Sequence, residues 1–239
     1  MNYLKNLISN CKRKNHVPVL TLAVLSLSTN MLTYFGTRVF TKYFQHHDMT
    51  LEFDTNTPFI PWTVAIYLGC YLFWIVNYIL GCFQDDEETM RFWCADFFAK
   101  LVCLAFFVLL PTTNIRPIIT DTDIWSKGML WLYRNDPANN LFPSIHCLTS
   151  WFCVIAIRKQ KNIPSWYQAV SVIIALSICI STLTTKQHVV VDVFAGIFLA
   201  EFAYWFVQKS GFINFYKKMI TAINNIFSPI PSPSQPSES

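Results

Sequence analysis

Charge is scarce in this chain. Only 13% of its 239 residues are Asp, Glu, Lys or Arg, about half the ~25% of an average soluble domain. With 53% hydrophobic residues and a mean hydropathy of +0.35, this deficit argues against a large soluble core and for a membrane protein. A nucleic-acid footprint is not expected either. Net charge is a mild +4, and the basic residues cluster beside apolar segments, which is a signature of membrane topology. The eight cysteines (Cys11, Cys70, Cys82, Cys94, Cys103, Cys147, Cys153 and Cys179) form no CxxC pair and no regular framework. Most sit inside apolar runs and read as free core thiols. There is no internal repeat, so one domain is expected.

Six apolar stretches are present, at about 17–40, 61–83, 92–111, 143–158, 166–184 and 188–208. Each is near the ~20 residues that a bilayer-spanning helix needs. Many of the aromatic residues (16% of the chain) lie near the ends of these runs, where Trp and Tyr favour the membrane interface. A basic head, residues 1–16, precedes the first stretch. No small-residue cleavage site follows it, so the first stretch reads as an uncleaved helix. Residues 17–208 are expected to form an all-α membrane domain of six helices. Residues 209–239 form a tail in which Phe212 to Phe227 suit a short interfacial helix. From about 228 the tail is Pro/Ser-rich and expected to be disordered.

Basic residues set the orientation. With the N-terminus in the cytosol, the inner segments hold Lys5, Lys12, Arg13, Lys14, Arg91, Arg158, Lys159, Lys161, Lys209, Lys217 and Lys218. The outer segments hold Arg38, Lys42, Arg116, Lys127, Arg134 and Lys186. The inner side wins, so both termini are expected in the cytosol, most simply of a cell-membrane protein. Within the third span, Asp96 and Lys100 are four residues apart; an intramembrane ion pair is a functional candidate by default, but its place toward the cytosolic half, away from the motifs, favours a structural pair. Glu201, near the inner end of the last span, suits snorkelling to the interface or contact with a neighbouring helix.

Three polar segments then fall on the outer face. They are Pro111–Pro117, Asn139–His146 and Ser181–Asp192. His188 and Asp192 are four apart, a spacing that places two side chains on one helix face. A carboxylate there holds one imidazole nitrogen as a donor and leaves the other free to attack or accept a proton. His146 follows Pro143, which suits a first helical turn, and helix N-termini attract anions. Ser144 adds a hydroxyl, and Arg116 a planar fork suited to phosphate oxygens. Each has a plainer reading: a structural hydrogen bond for His188–Asp192, an interfacial anchor for Arg116, a solvated loop charge for Lys186. Two histidines and a carboxylate could also hold a metal. Their occurrence together on one face favours phosphoryl transfer, with no metal required.

The pattern resembles the type 2 phosphatidic acid phosphatase superfamily of membrane lipid phosphatases and phosphotransferases. Arg116-Pro117 matches the end of that family's first motif. Pro143-Ser144-Ile145-His146 matches the second, with Ile145 in place of Gly. Ser181, His188 and Asp192 match the third at full spacing. The resemblance covers about residues 92–208, and the first two spans add only compatible topology. It implies that His188 is the nucleophile, forming a phosphohistidine, that Asp192 orients it, and that His146 protonates the leaving group and then activates the acceptor. Arg116 and Ser144 would hold the phosphate, and Ser181 would lie at the substrate site.

Two positions depart from the pattern. The first-motif Lys is Leu109, and the third-motif Arg is Thr182. Lys186, Lys127 or Arg134 are the candidate replacements. The Thr-Lys-Gln-His run looks more like the inositol-phosphoceramide synthase branch. The implied substrate is a lipid phosphate or diphosphate, with no cofactor and no metal. Water as acceptor makes the chain a phosphatase, and an alcohol makes it a phosphotransferase. The reading of another class is an inactive relative serving as transporter or scaffold, which the two missing cations would support.

Overall fold

A computed structural model describes residues 18–227. The basic head and the Pro/Ser-rich end of the tail lie outside the described residues. The described chain is mostly helical. Helix α1 runs Val19–Thr41, its middle turn Leu32–Gly36 widened to a π-helix. A short α2 (Glu52–Asn56) follows, then α3 (Pro61–Gly81, opening with a 3₁₀ turn) and α4 (Asp86–Leu109). After these come α5 (Ile124–Asn135), α6 (Ile145–Ile157), α7 (Ser165–Thr184), α8 (Val190–Lys209) and α9 (Phe212–Phe227). Two-residue strands β1 (His47–Asp48) and β2 (Thr112–Thr113) pair in parallel.

Among the described residues, five helices are long and apolar enough to cross a membrane: α1, α3, α4, α7 and α8. Their outward faces are apolar. Leu20, Val24, Leu27 and Val39 on α1, Leu72 and Ile75 on α3, and Phe194 and Phe198 on α8 are all exposed. Contiguous exposed apolar surface of this extent suits lipid. The fourth apolar stretch behaves differently. Helix α6 has 13 residues, roughly 20 Å at ~1.5 Å per residue, against ~30 Å of bilayer hydrocarbon. All of it except Trp151 is buried. It is the axis of the bundle, packed against α3, α4, α7 and α8, and its apolar character serves protein contacts on every side.

Helix ends follow local chemistry. The third stretch begins earlier than expected, because Asp85 caps α4 by accepting from Glu88 N at 2.9 Å and the first turn carries Asp86, Glu87 and Glu88. Acidic residues are favoured at that end. Helix α9 lies where the interfacial helix was expected, with Tyr216 and Ile220 buried in the main core. Asp96 and Lys100 do pair, at 2.8 Å, and Ser26 (2.6 Å) and Tyr78 (2.7 Å) also donate to Asp96. Glu201 meets Arg158 at 2.9 Å (Nη2 to Oε2).

Loops at one end of the bundle are tied together. Ile60 N donates to Thr184 O at 2.9 Å, His47 N to Pro111 O at 2.9 Å, and Ser144 N to Asp192 O at 3.2 Å. Helix α8 crosses the start of α6 at Gly196. A Cβ there would meet Ser144 O at 2.7 Å and Leu148 N at 3.1 Å, so only glycine allows this approach.

Candidate active site at one end of the bundle

The turn between α7 and α8 carries His188. Gln187 N and His188 N both donate to Thr182 O, at 2.9 and 3.1 Å, and Lys186 adopts φ 53° to close the turn. His188 and Asp192 do not share a helix face, as their spacing suggested. His188 precedes α8, and Asp192 reaches back to cap it, accepting from Val189 N at 3.1 Å. The same Oδ2 lies 3.1 Å from His188 Nδ1. Nδ1 is thereby committed, and Nε2 is the nitrogen left for chemistry. Burial opposes charge on His188, but the hydrogen bond and negative charge of Asp192 outweigh it and hold its pKa above the ordinary histidine value.

His146 is the second residue of α6. Ser144 caps that helix by accepting from Cys147 N at 3.3 Å. Pro143 thus precedes the cap and is not part of the first turn. The rings of His146 and His188 are 5.9 Å apart, centre to centre. Both line one small cavity together with Arg38, Asp136, Asn139 and Gln187. Tyr67 of α3 stacks on His146, with ring centres 4.5 Å apart and planes 29° from parallel.

Asp136, just after α5, joins three helices. Its Oδ1 accepts from Arg38 Nη2 at 2.6 Å and from the Tyr34 hydroxyl, and its Oδ2 accepts from the Tyr67 hydroxyl at 3.1 Å. Burial opposes its ionisation, but His146, the Tyr34 hydroxyl and Arg38 outweigh this and hold its carboxyl below the usual carboxylate range. Asn140, also on this loop, donates to Thr37 Oγ1 at 3.0 Å and accepts from Thr41 Oγ1 at 3.2 Å. Helix α1 therefore clamps the loop that leads into His146.

Arg116 donates through Nη1 to Asp136 O at 2.6 Å and through Nη2 to Gln187 Oε1, with its guanidinium 4.5 Å from the Tyr133 ring centre. It lines a larger cavity of about 290 Å³ with Asp54, Asn114, Lys186 and His188. Several buried polar atoms here have no partner among the described residues: Arg38 Nε, Arg116 Nε, Asn139 Oδ1, His146 Nε2 and Gln187 Nε2. Unpaired buried polar atoms are costly, and all of these but Arg116 Nε belong to residues lining the small cavity, which favours a polar ligand there.

The structure brings His188, Asp192, His146 and Arg116 together, with Lys186 at the edge. Lys186 Nζ is engaged by Asp54 O and Thr57 O, both at 2.5 Å. Ser181 is buried and donates to Ile178 O of its own helix at 2.7 Å. Lys127 and Arg134 are exposed on α5 and line neither cavity. Leu109 points outward, 81% exposed, while Thr182 is buried and donates to Cys179 O at 2.7 Å.

Sequence reasoning missed Tyr34, Arg38, Tyr67 and Asp136, having credited the first two spans with topology alone. The available signal was an arginine inside the last turn of a span with a tyrosine four residues before it. A charge at membrane depth marks function by default.

No curated protein and no solved structure matches the chain. A model of the PAP2 superfamily matches residues 41–206, more than half of the 239 residues. The match takes in His146, His188, Asp192 and Arg116 and leaves Tyr34 and Arg38 outside. By that match the chain belongs to the PAP2 superfamily, whose members are of phosphatase and phosphotransferase type.

Proposed function

We propose that this chain is a membrane-embedded lipid phosphate or diphosphate phosphatase working through a phosphohistidine. One observation carries the reading. Two buried histidines face one cavity, the first with Asp192 behind its Nδ1, among donors that lack protein partners. In the first step His188 Nε2 attacks phosphorus while His146 gives a proton to the departing oxygen. In the second His146 takes a proton from water, whose oxygen displaces His188. Arg38 and Arg116 hold the phosphoryl oxygens. Arg38 thus supplies the cation that the motif positions Leu109 and Thr182 lack. In this reading α6 is the sixth transmembrane element, shielded from lipid by α3, α4, α7 and α8. The site lies at the outer face of a cell membrane, and both termini are cytosolic.

The cavity of about 290 Å³ beside His188, with its Asp54, Asn114 and Lys186, favours a second reading. An alcohol seated there would replace water, making the protein a lipid phosphotransferase. Purified protein incubated with radiolabelled phosphatidate, polyprenyl diphosphate and sphingolipid phosphates, with and without alcohols, separates the cases. The expected product is free phosphate, lost in His188→Ala. Labelled alcohol adducts would establish the transferase. No turnover of any of these esters, or turnover that survives His188→Ala, would sink both readings.

A further inference from the structure

We infer that Tyr67 and Asp136 are positioning residues for His146, forming a carboxylate–phenol–imidazole relay parallel to the direct Asp192–His188 pair. The inference rests on the phosphatase reading and assigns residues that the family's motifs do not contain. Its basis is geometric. The Tyr67 hydroxyl is 3.1 Å from Asp136 Oδ2 and 3.4 Å from His146 Nδ1. A phenol has one proton. The carboxylate is the stronger acceptor, since charge-assisted hydrogen bonds are the strong ones, so that proton goes to Asp136. The phenol oxygen is then an acceptor toward His146, and Nδ1 must carry a hydrogen. That fixes the tautomer: neutral His146 has its lone pair on Nε2. Nε2 is also the nitrogen with no partner among the described residues, in a residue lining the cavity shared with His188. Tyr67 further fixes the ring plane by stacking on it.

The proton balance needs this. In the first step the P–O bond to the leaving group breaks as His188 Nε2 bonds to phosphorus. Doubly protonated His146 gives its Nε2 proton to the leaving oxygen and becomes neutral, retaining Nδ1–H. In the second step the Nε2 lone pair takes a proton from water, water oxygen bonds to phosphorus, and the P–N bond breaks. Without an acceptor at Nδ1, His146 loses the partner that stabilises its doubly protonated form as acid in the first step, and its neutral form can hold the hydrogen on Nε2 instead and cannot act as base in the second.

The test uses the full chain in detergent micelles and two probes, dodecyl phosphate and p-nitrophenyl phosphate. Nitrophenolate departs without a proton, whereas an alkoxide does not. The quantity kcat/KM reports only steps through leaving-group departure. Tyr67→Phe keeps the stacked ring and is expected to lower the ratio of kcat/KM for dodecyl over nitrophenyl phosphate by about tenfold or more, a part of the ~10²–10⁴ of general acid catalysis. Asp136→Asn is expected to lower the same ratio by removing the carboxylate charge that holds the Tyr67 proton, while its weaker hold on Arg38 affects both probes and cancels. A purely structural lesion also leaves the ratio alone. An unchanged ratio in either folded variant, checked by thermal unfolding, overturns the relay while leaving the phosphatase reading intact. Absence of turnover in the wild type overturns both.

Discussion

Arg38 is the place to press the reading of the phosphate pocket. Its side chain and that of Asp136 are only 13% and 17% exposed, and they meet at 2.6 Å. In Arg38→Gln, Asp136 keeps its two tyrosine donors but loses its counter-charge. Removing one partner of a buried pair costs ~3–5 kcal/mol, and the tyrosines place this case near the lower end, at about 3 kcal/mol. For a chain of this size that lowers the melting temperature by roughly 6–12 °C. The second effect is on the ligand. Guanidinium Nε is buried and unpaired, and a charge-assisted hydrogen bond is worth ~1.5–3 kcal/mol, or roughly 10- to 150-fold in affinity. The assay is competitive inhibition by inorganic phosphate, run well below the melting point of the variant. The expected inhibition constant rises by that factor. If melting falls but the constant stays within about twofold of wild type, Arg38 is only a strut for Asp136, and its place in the phosphate pocket is refuted.

Asp192→Asn removes the charge that holds the His188 pKa above its ordinary value. Attack requires neutral His188, so wild-type kcat/KM is lost as pH falls through a midpoint above the ordinary ~6.5. In the variant this midpoint moves down; comparing the two profiles cancels the titration of the substrate phosphate, and an unmoved or raised midpoint would contradict the pairing. Gly196→Ala puts a methyl 2.7 Å from Ser144 O, and overpacking costs ~1–3 kcal/mol. It should lower the melting temperature and, by shifting α6 against α8, lower kcat by more than its effect on KM. Wild-type values of both would show that the helices are free to separate. Lys100→Met strands Asp96, whose side chain is fully buried, and should destabilise by about 3 kcal/mol; adding Asp96→Asn should recover most of this in a thermal melt, with kcat near wild type throughout. Arg38→Gln and Tyr67→Phe both act through Asp136, so their effects on kcat/KM should be non-additive by ~0.5–3 kcal/mol; strict additivity would mean that the two arms of Asp136 are independent.

What the sequence made legible is local. The His188–Asp192 spacing survives although the helix-face argument for it does not, because a residue three positions into a helix can reach back to its cap. The long apolar helices α1, α3, α4, α7 and α8 were readable because a helix that crosses a membrane must present apolar surface along its whole length. Helix α6, expected at about 143–158 and observed at Ile145–Ile157, was readable as apolar for the opposite reason. A helix buried on all sides is apolar without needing to span, and hydropathy does not distinguish the two. Ser181 entered the candidate site by its motif position, and Lys186 as a replacement for a missing motif cation. Their hydrogen bonds, to Ile178 O, Asp54 O and Thr57 O, depend on backbone positions that spacing does not reveal.

The larger omission was the contribution of α1. Tyr34 and Arg38 meet Asp136 across 102 and 98 residues of sequence, and no periodicity reports a contact of that range. Physical logic does connect the pieces once they are placed. The motif position at Leu109 faces outward and Thr182 is tied to its own helix, so a cation for the phosphate must come from another element. A guanidinium at that depth requires a counter-charge, which Asp136 supplies through Oδ1. Its other oxygen is then free to receive Tyr67 and, through it, to set the tautomer of His146. The unusual cation and the support of the second histidine are therefore one arrangement. On the proposed reading, the departures at Leu109 and Thr182, which sequence alone could count toward an inactive relative, leave the acid–base system connected.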